Sequence, residues 1–236
     1  MTNPTNSRTH CLYLTDGYLV QTQATVQGTG IDEKGPYVVF NQTIFHPQGG
    51  GQPHDKGTFT CGGKTYTVTS LALDKKNWIV RHYFTPEEEK SFSIGAPVDL
   101  QVDEPMRTLH RRIHSAGHLM ECAVAEIFPC WEAYKGNHAT GGQASINFKE
   151  KEDSATPNWA DARKQLEERV NELVAKALPV YMSWNKENTM RSVQFGDYVP
   201  LECGGTHMKN SEEIGRITVR SVGKRKGDIK IGYDVV

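Results

Sequence analysis

The apolar pattern of the chain changes period at Asp103-Glu104-Pro105, and that change divides what the sequence can build. Before it, residues 18–26 and 64–70 alternate apolar and polar side chains, the pattern of half-buried strands. Residues 37–40, 78–84 and 98–102 add short strand-like runs, punctuated by Gly28, Gly30, Gly35, Gly57, Gly62, Gly63 and Gly95. Short strands with turns this close together predict a small barrel or sandwich. After the boundary, Leu109, Ile113, Ala116, Leu119, Met120 and Ala123 recur at helical spacing up to Phe128-Pro129. Pro105 suits the first turn of that helix, and the acid before it suits the positive end of the helix dipole. Two domains are therefore expected, 1–103 and 104–236.

The second part mixes both periods. Residues 141–149 read as a strand entered from a glycine turn. Pro157 opens a helix running from Asn158 to Ala177, with Ala162, Leu166, Val170, Leu173 and Val174 on its apolar positions and Pro179 beyond its end. Residues 180–184 read as a strand. Residues 214–222 and 228–235 form a hairpin turning on Gly223-Lys224-Arg225-Lys226-Gly227. Helices packed on a mostly antiparallel sheet make the fold class α+β.

A chain of 236 residues, 37% hydrophobic and 23% charged, can bury one large core or two modest ones and is not of disordered composition. No apolar run approaches the roughly 20 residues of a membrane span. The polar segment Met1 to His10 lacks the apolar core of a signal peptide, so a cytoplasmic protein with no membrane partner is expected. The five cysteines are odd in number and show no C-x-x-C spacing, which reads as reduced thiols. Cys11, Cys61, Cys122 and Cys130 read as small core residues. Cys203 is set apart by its neighbours.

The net charge of -1 selects no partner, but its distribution does more. Arg107, Arg111 and Arg112 stand with His110 and no acid. Arg216, Arg220, Lys224, Arg225, Lys226 and Lys230 face only Asp228. Basic segments of this kind suit a phosphate-bearing substrate.

Two motifs carry metal chemistry. On the first helix His114 and His118 are four residues apart and share a face. His110 is also four residues from His114, so spacing alone leaves the pair open. The loop Cys203-Gly204-Gly205-Thr206-His207 supplies a thiolate and a further imidazole, completing a borderline-soft set suited to zinc. Four protein ligands favour a structural ion. The lack of C-x-x-C knuckles and the size of the core favour a catalytic or substrate-orienting one, which is the reading taken. No H-E-x-x-H motif is present, so a metalloprotease is disfavoured. A third motif, Gly49-Gly50-Gly51-Gln52, adds no side-chain packing through its glycines. It is either a loop whose backbone approaches a ligand closely or a tight connection between strands.

Together His114-x-x-x-His118, Cys203-Gly-Gly-Thr-His207 and the segment from Phe45 to Asp55 resemble the free-standing alanyl-tRNA editing proteins of the AlaX type. They are also similar to the editing domain of alanyl-tRNA synthetase and, in the second half, to that of threonyl-tRNA synthetase. The resemblance runs from about residue 11 to the C-terminus with the motifs in the same order, and differs from the usual pattern at His46. It implies an N-terminal β-barrel beside an α+β editing domain. It also implies hydrolysis of tRNA(Ala) mischarged with serine, and secondarily with glycine. It selects His114 and His118, not His110, with Cys203 and His207, as ligands of Zn2+. The chain has no room for an adenylate-forming module and is not expected to charge tRNA. On this reading the ion positions the amino acid or terminal ribose, with a water activated beside it. Gln52 and Thr43, with Gly50, Gly51 and Thr206, are the candidates for binding the substrate and recognising the serine hydroxyl. Arg107, Arg111 and Arg112 are expected to guide the acceptor stem, and Lys224, Arg225 and Lys226 to touch phosphates. The alternative is a zinc-stabilised tRNA-binding module, or a synthetase-related fragment, without catalysis of its own.

Overall fold

The computed structural model describes residues 8–85, 92–151, 156–186 and 190–236, so residues 1–7 of the polar amino-terminal segment lie outside it. The chain divides into two compact units, Met1–Gly49 with Pro53–Thr108, and Gly50–Gln52 with Leu109–Val236.

The first unit holds β1 (His10–Cys11), β2 (Gln21–Asp32), β3 (Gly35–Phe40), β4 (Gln42–Thr43), β5 (Gly57–Cys61), β6 (Lys64–Asp74), β7 (Ile79–Phe84) and β8 (Pro97–Val102). Six of them close into a barrel in the order β2-β3-β7-β6-β5-β8, with antiparallel pairing throughout. Closure leaves these strands without a free edge. Alternation does the rest: in β8, Val98, Leu100 and Val102 point inward while their neighbours are exposed. Inside, Phe59 stacks on Tyr66 at 4.9 Å, and Phe40, Phe84 and Phe92 meet Phe59 edge-on or tilted. The strand β5 was not among those expected, because only Phe59 in Gly-Thr-Phe-Thr-Cys is both large and buried.

Arg107 is fully buried in this unit. Its Nε donates to Asp55 Oδ1 at 2.9 Å and its Nη1 to the Gly17 carbonyl at 3.0 Å, while Nη2 donates to Asp55 Oδ2 and the Ile44 carbonyl. A guanidinium enclosed and engaged in this way has no access to an RNA phosphate, which corrects the expectation that Arg107 guides an acceptor stem. Its loss would leave the Asp55 carboxylate buried and unpaired. Thr43 is enclosed here too: its hydroxyl lies 2.8 Å from His82 Nε2 and accepts the Phe45 N–H.

The second unit is built on α1 (Glu104–Ile127), whose residues from Leu109 onward belong to it. It continues through β9 (Trp131–Asn137), β10 (Ser145–Glu150), α2 (Trp159–Ala175), β11 (Val180–Trp184), β12 (Arg191–Phe195), β13 (Leu201–Glu202), β14 (Ile217–Arg225) and β15 (Asp228–Val235). The strands form an antiparallel four-stranded sheet, β14-β15-β10-β9, and an antiparallel three-stranded one, β11-β12-β13. The apolar stripe of α1 (Ala116, Leu119, Met120, Ala123) shares one core with Ile146, Phe148, Ile229 and Ile231 of the larger sheet and Leu166, Val170 and Leu173 of α2. Asn158 caps α2 by accepting the Ala160 N–H at 3.0 Å. Two α-helices and mostly antiparallel strands among the described residues make the chain α+β. None of these helices is long and apolar enough to cross a membrane.

The hairpin turn is tighter than expected. Arg225 pairs with Asp228, so the strands run past Gly223 and turn on Lys226-Gly227, both with positive φ (54° and 90°). That is the conformation of the two-residue turn whose twist matches the strands.

Candidate metal centre

Everything in this site belongs to the second unit. Helical spacing puts His114 and His118 on one face of α1, and the loop after β13 brings Cys203 and His207 against them. One ligand atom from each of the four lies within 4.8 Å of all the others. Cys203 Sγ is 3.4 Å from His114 Nε2 and 3.2 Å from His207 Nε2. Zinc bonds of about 2.0–2.3 Å place tetrahedral ligands roughly 3.3–3.8 Å apart, so the donor types and these spacings suit that ion. His110 is buried but is not one of the four.

The rings are turned by a second layer of oxygen atoms. His114 Nδ1 lies 2.8 Å from Gln52 Oε1, which also accepts the Thr206 N–H at 3.0 Å. A backbone N–H only donates, so this atom is the amide oxygen and His114 Nδ1 carries the proton. The lone pair of His114 is thereby placed on Nε2, facing Cys203. His207 Nδ1 lies 3.3 Å from Ser115 Oγ, which accepts the Met208 N–H. Arg191 holds the loop itself, donating to the carbonyls of Cys203 (2.8 Å) and Gly205. Gly205 is required: a Cβ there would lie 2.0 Å from His114 Cε1.

Burial sets the protonation states. It drives the His118 pKa down to about 3, helped by the charges of His138 and Arg191, so the ring is neutral and able to ligate. His118 Nδ1 is a buried polar atom without a hydrogen-bond partner among the described residues. Burial also raises the Cys203 thiol, against the pull of the Gly205 N–H and Arg191. A desolvated thiol gains most from a cation that favours its thiolate.

The cluster opens on a cleft of about 610 Å³ lined by Gly50, Gly51, Glu121, Lys135 and His138 as well as by His114, His118 and Cys203. Gly50 and Gly51 have positive φ (58° and 78°), and a Cβ on Gly51 would lie 2.5 Å from the Gly136 carbonyl. The glycine run is therefore a close backbone approach.

Sequence reasoning did not single out His138 and Glu121. His138 stacks on His114 with centroids 4.3 Å apart, and its Nδ1 lies 2.7 Å from Tyr233 Oη. Tyr233 Oη also lies 3.2 Å from the Ile113 carbonyl. Burial lowers the His138 pKa to about 4. Glu121 follows His118 by three residues, and burial pushes its carboxyl up to about 7.

Other expected residues fall elsewhere. Gln52 and Thr206 are buried against each other, Gln52 Nε2 donating to Thr206 Oγ1 at 3.0 Å, and neither side chain lines the cleft. Arg111 is buried, while Arg112 donates to the carbonyls of Ile214 (2.8 Å) and Val236 (2.7 Å). Lys224 and Arg225, with Arg220 and Lys230, line a separate depression of about 590 Å³. Lys226 is exposed on the adjoining turn.

A family model described as tRNA synthetases class II (A) matches residues 9–106. The alanyl-tRNA editing protein AlaX-M of Pyrococcus horikoshii is 30% identical over 210 residues, which cover 89% of each chain. The protein of the same name from Methanosarcina barkeri is 27% identical over 233 residues, 89% of this chain and 92% of that one. An alanine–tRNA ligase of Halorubrum lacusprofundi is 30% identical over 209 residues, 79% of this chain but 21% of the ligase.

Proposed function

We propose a function that proceeds from one fact: the chain belongs to the alanyl-tRNA editing proteins of the AlaX type. It is a trans-editing hydrolase that cleaves the ester of mischarged tRNA(Ala), chiefly Ser-tRNA(Ala) and secondarily Gly-tRNA(Ala). The observation that carries this is the convergence of His114, His118, Cys203 and His207, three of which (His114, His118 and Cys203) line a cleft. These four would hold Zn2+. Bound there, zinc supplies Lewis acidity to polarise an ester oxygen.

The protein's own groups do the rest. Gln52 and Ser115 hold the rings of His114 and His207 in orientation. Gly50 and Gly51 let backbone approach the aminoacyl end of the substrate. His138 lines the cleft, its ring held in place by Tyr233. Gln52 and Thr206 serve the ligand set, so recognition of the serine hydroxyl falls to polar groups that line the cleft. Lys224, Arg225 and Lys226 meet tRNA phosphates, and tRNA affinity insensitive to salt would contradict that assignment.

The deciding experiment offers the protein Ser-tRNA(Ala) and Ala-tRNA(Ala) side by side. Rapid loss of serine with alanine spared is expected. Binding of tRNA with neither ester cleaved would replace this reading with the zinc-stabilised binding module.

A further inference from the structure

We propose that Glu121 is the proton-transfer residue of this cleft. It would take a proton from the attacking water and return one to the departing ribose oxygen. The proposal rests on the editing reading above and assigns the acid-base group that reading lacks. The sequence hides it, because the only familiar signal for such a carboxylate, H-E-x-x-H, is absent.

Three observations converge on Glu121. It lies three residues after His118 and seven after His114, so helical geometry puts all three on one side of α1. It lines the same cleft as His114, His118, Cys203 and His138, yet stands outside the group of four converging ligand atoms. Its half-buried carboxyl makes no ion pair or hydrogen bond among the described residues. Asp55 shows the usual treatment of a buried acid in this chain, held by Arg107 and the His46 N–H. An acid left in a cleft without such partners is poorly placed for stability and well placed for proton transfer. The other acid of the cleft, Glu202, is exposed. Burial also keeps the Glu121 carboxyl in the range where it can accept and give up a proton near neutrality.

The step balances with water as the only co-reactant. An O–H bond of water breaks, its proton passes to the Glu121 carboxylate, and the water oxygen bonds to the ester carbonyl carbon. The bond from that carbon to the ribose oxygen then breaks with its electron pair on the ribose oxygen. That oxygen takes the proton back from Glu121. The tRNA leaves with a free ribose hydroxyl. The amino acid leaves as its carboxylate, its acidic proton passing to solvent.

The test compares the zinc-loaded full chain with Glu121→Gln and Glu121→Asp. Three quantities are measured: single-turnover deacylation of Ser-tRNA(Ala), affinity for tRNA carrying serine through a non-hydrolysable amide, and bound zinc. Glu121→Gln is expected to slow hydrolysis by about 10²–10⁴-fold with amide-analogue affinity and zinc content unchanged. Glu121→Asp is expected to retain an intermediate rate. Hydrolysis by Glu121→Gln within about threefold of the natural protein would overturn the proposal, as would a rate lost together with zinc or analogue binding. A natural protein that binds tRNA and cleaves neither ester fails earlier, before any variant is made. That result would sink the editing reading, and this proposal with it.

Discussion

Gln52 shows how a residue singled out in the sequence is engaged once the chain folds. An amide beside a run of glycines reads as a group offered to a ligand. In the fold, its oxygen accepts from His114 Nδ1 and the Thr206 N–H, and its nitrogen donates to Thr206 Oγ1. It orients the ring of His114, one of the four side chains proposed to hold zinc. Gln52→Ala is therefore expected to weaken zinc binding by about 10–100-fold, as removal of such outer partners does. Competition against a chromophoric chelator measures this, and unchanged zinc affinity would remove the orienting role. Helix periodicity and Cys-x-x-x-His spacing are local, so they made the candidate side chains legible, but spacing left His110 and His118 as equal partners of His114 and only the family resemblance chose His118. His138 and Glu121 were not legible. His138 sits at the end of a strand the pattern does not reveal, and its bond to Tyr233 spans 95 positions. Glu121 on a helix reads as an ordinary solvated acid until the cleft is in view.

At the level of elements, periodicity served the helices and most barrel strands and failed where glycine or threonine replaced apolar residues. In β9 only Trp131 is buried in Trp-Glu-Ala-Tyr-Lys-Gly-Asn, and the strand lies at the edge of its sheet. Alternation has little to work on there. The hairpin turn was located but drawn too long, since five small or charged residues conceal a register that runs to Arg225. Gly117 gives a test of packing against propensity. Alanine in a helix interior is favoured over glycine by about 1 kcal/mol. A Cβ at Gly117, however, would lie 2.5 Å from His138 Cε1 and 2.7 Å from Tyr233 Oη. Overpacking of this kind costs about 1–3 kcal/mol, so Gly117→Ala is expected to lower the melting temperature. A rise would mean that α1 does not pack on His138 as described.

For the molecule as a whole, the change of period at Pro105 leads one to expect two domains, 1–103 and 104–236; the described residues hold a closed barrel and a unit of helices on antiparallel strands. Sequence position did not reveal that Gly50–Gln52 fold with the second unit while the residues on either side of them belong to the first. Chain order cannot show this, because it depends on contacts more than 60 positions away, such as Gln52 with His114. The charge pattern was legible only as a tendency, since Arg107 proved to be a buried partner of Asp55 while Arg225 stayed exposed. Editing is proposed to take place where the three histidines and Cys203 converge. The most direct measurement strips the protein with a chelator, verifies its fold by circular dichroism, and follows serine release from Ser-tRNA(Ala) before and after zinc is restored. A folded, inactive protein whose activity returns with zinc is expected. Full activity in the folded, metal-free chain would contradict that proposal.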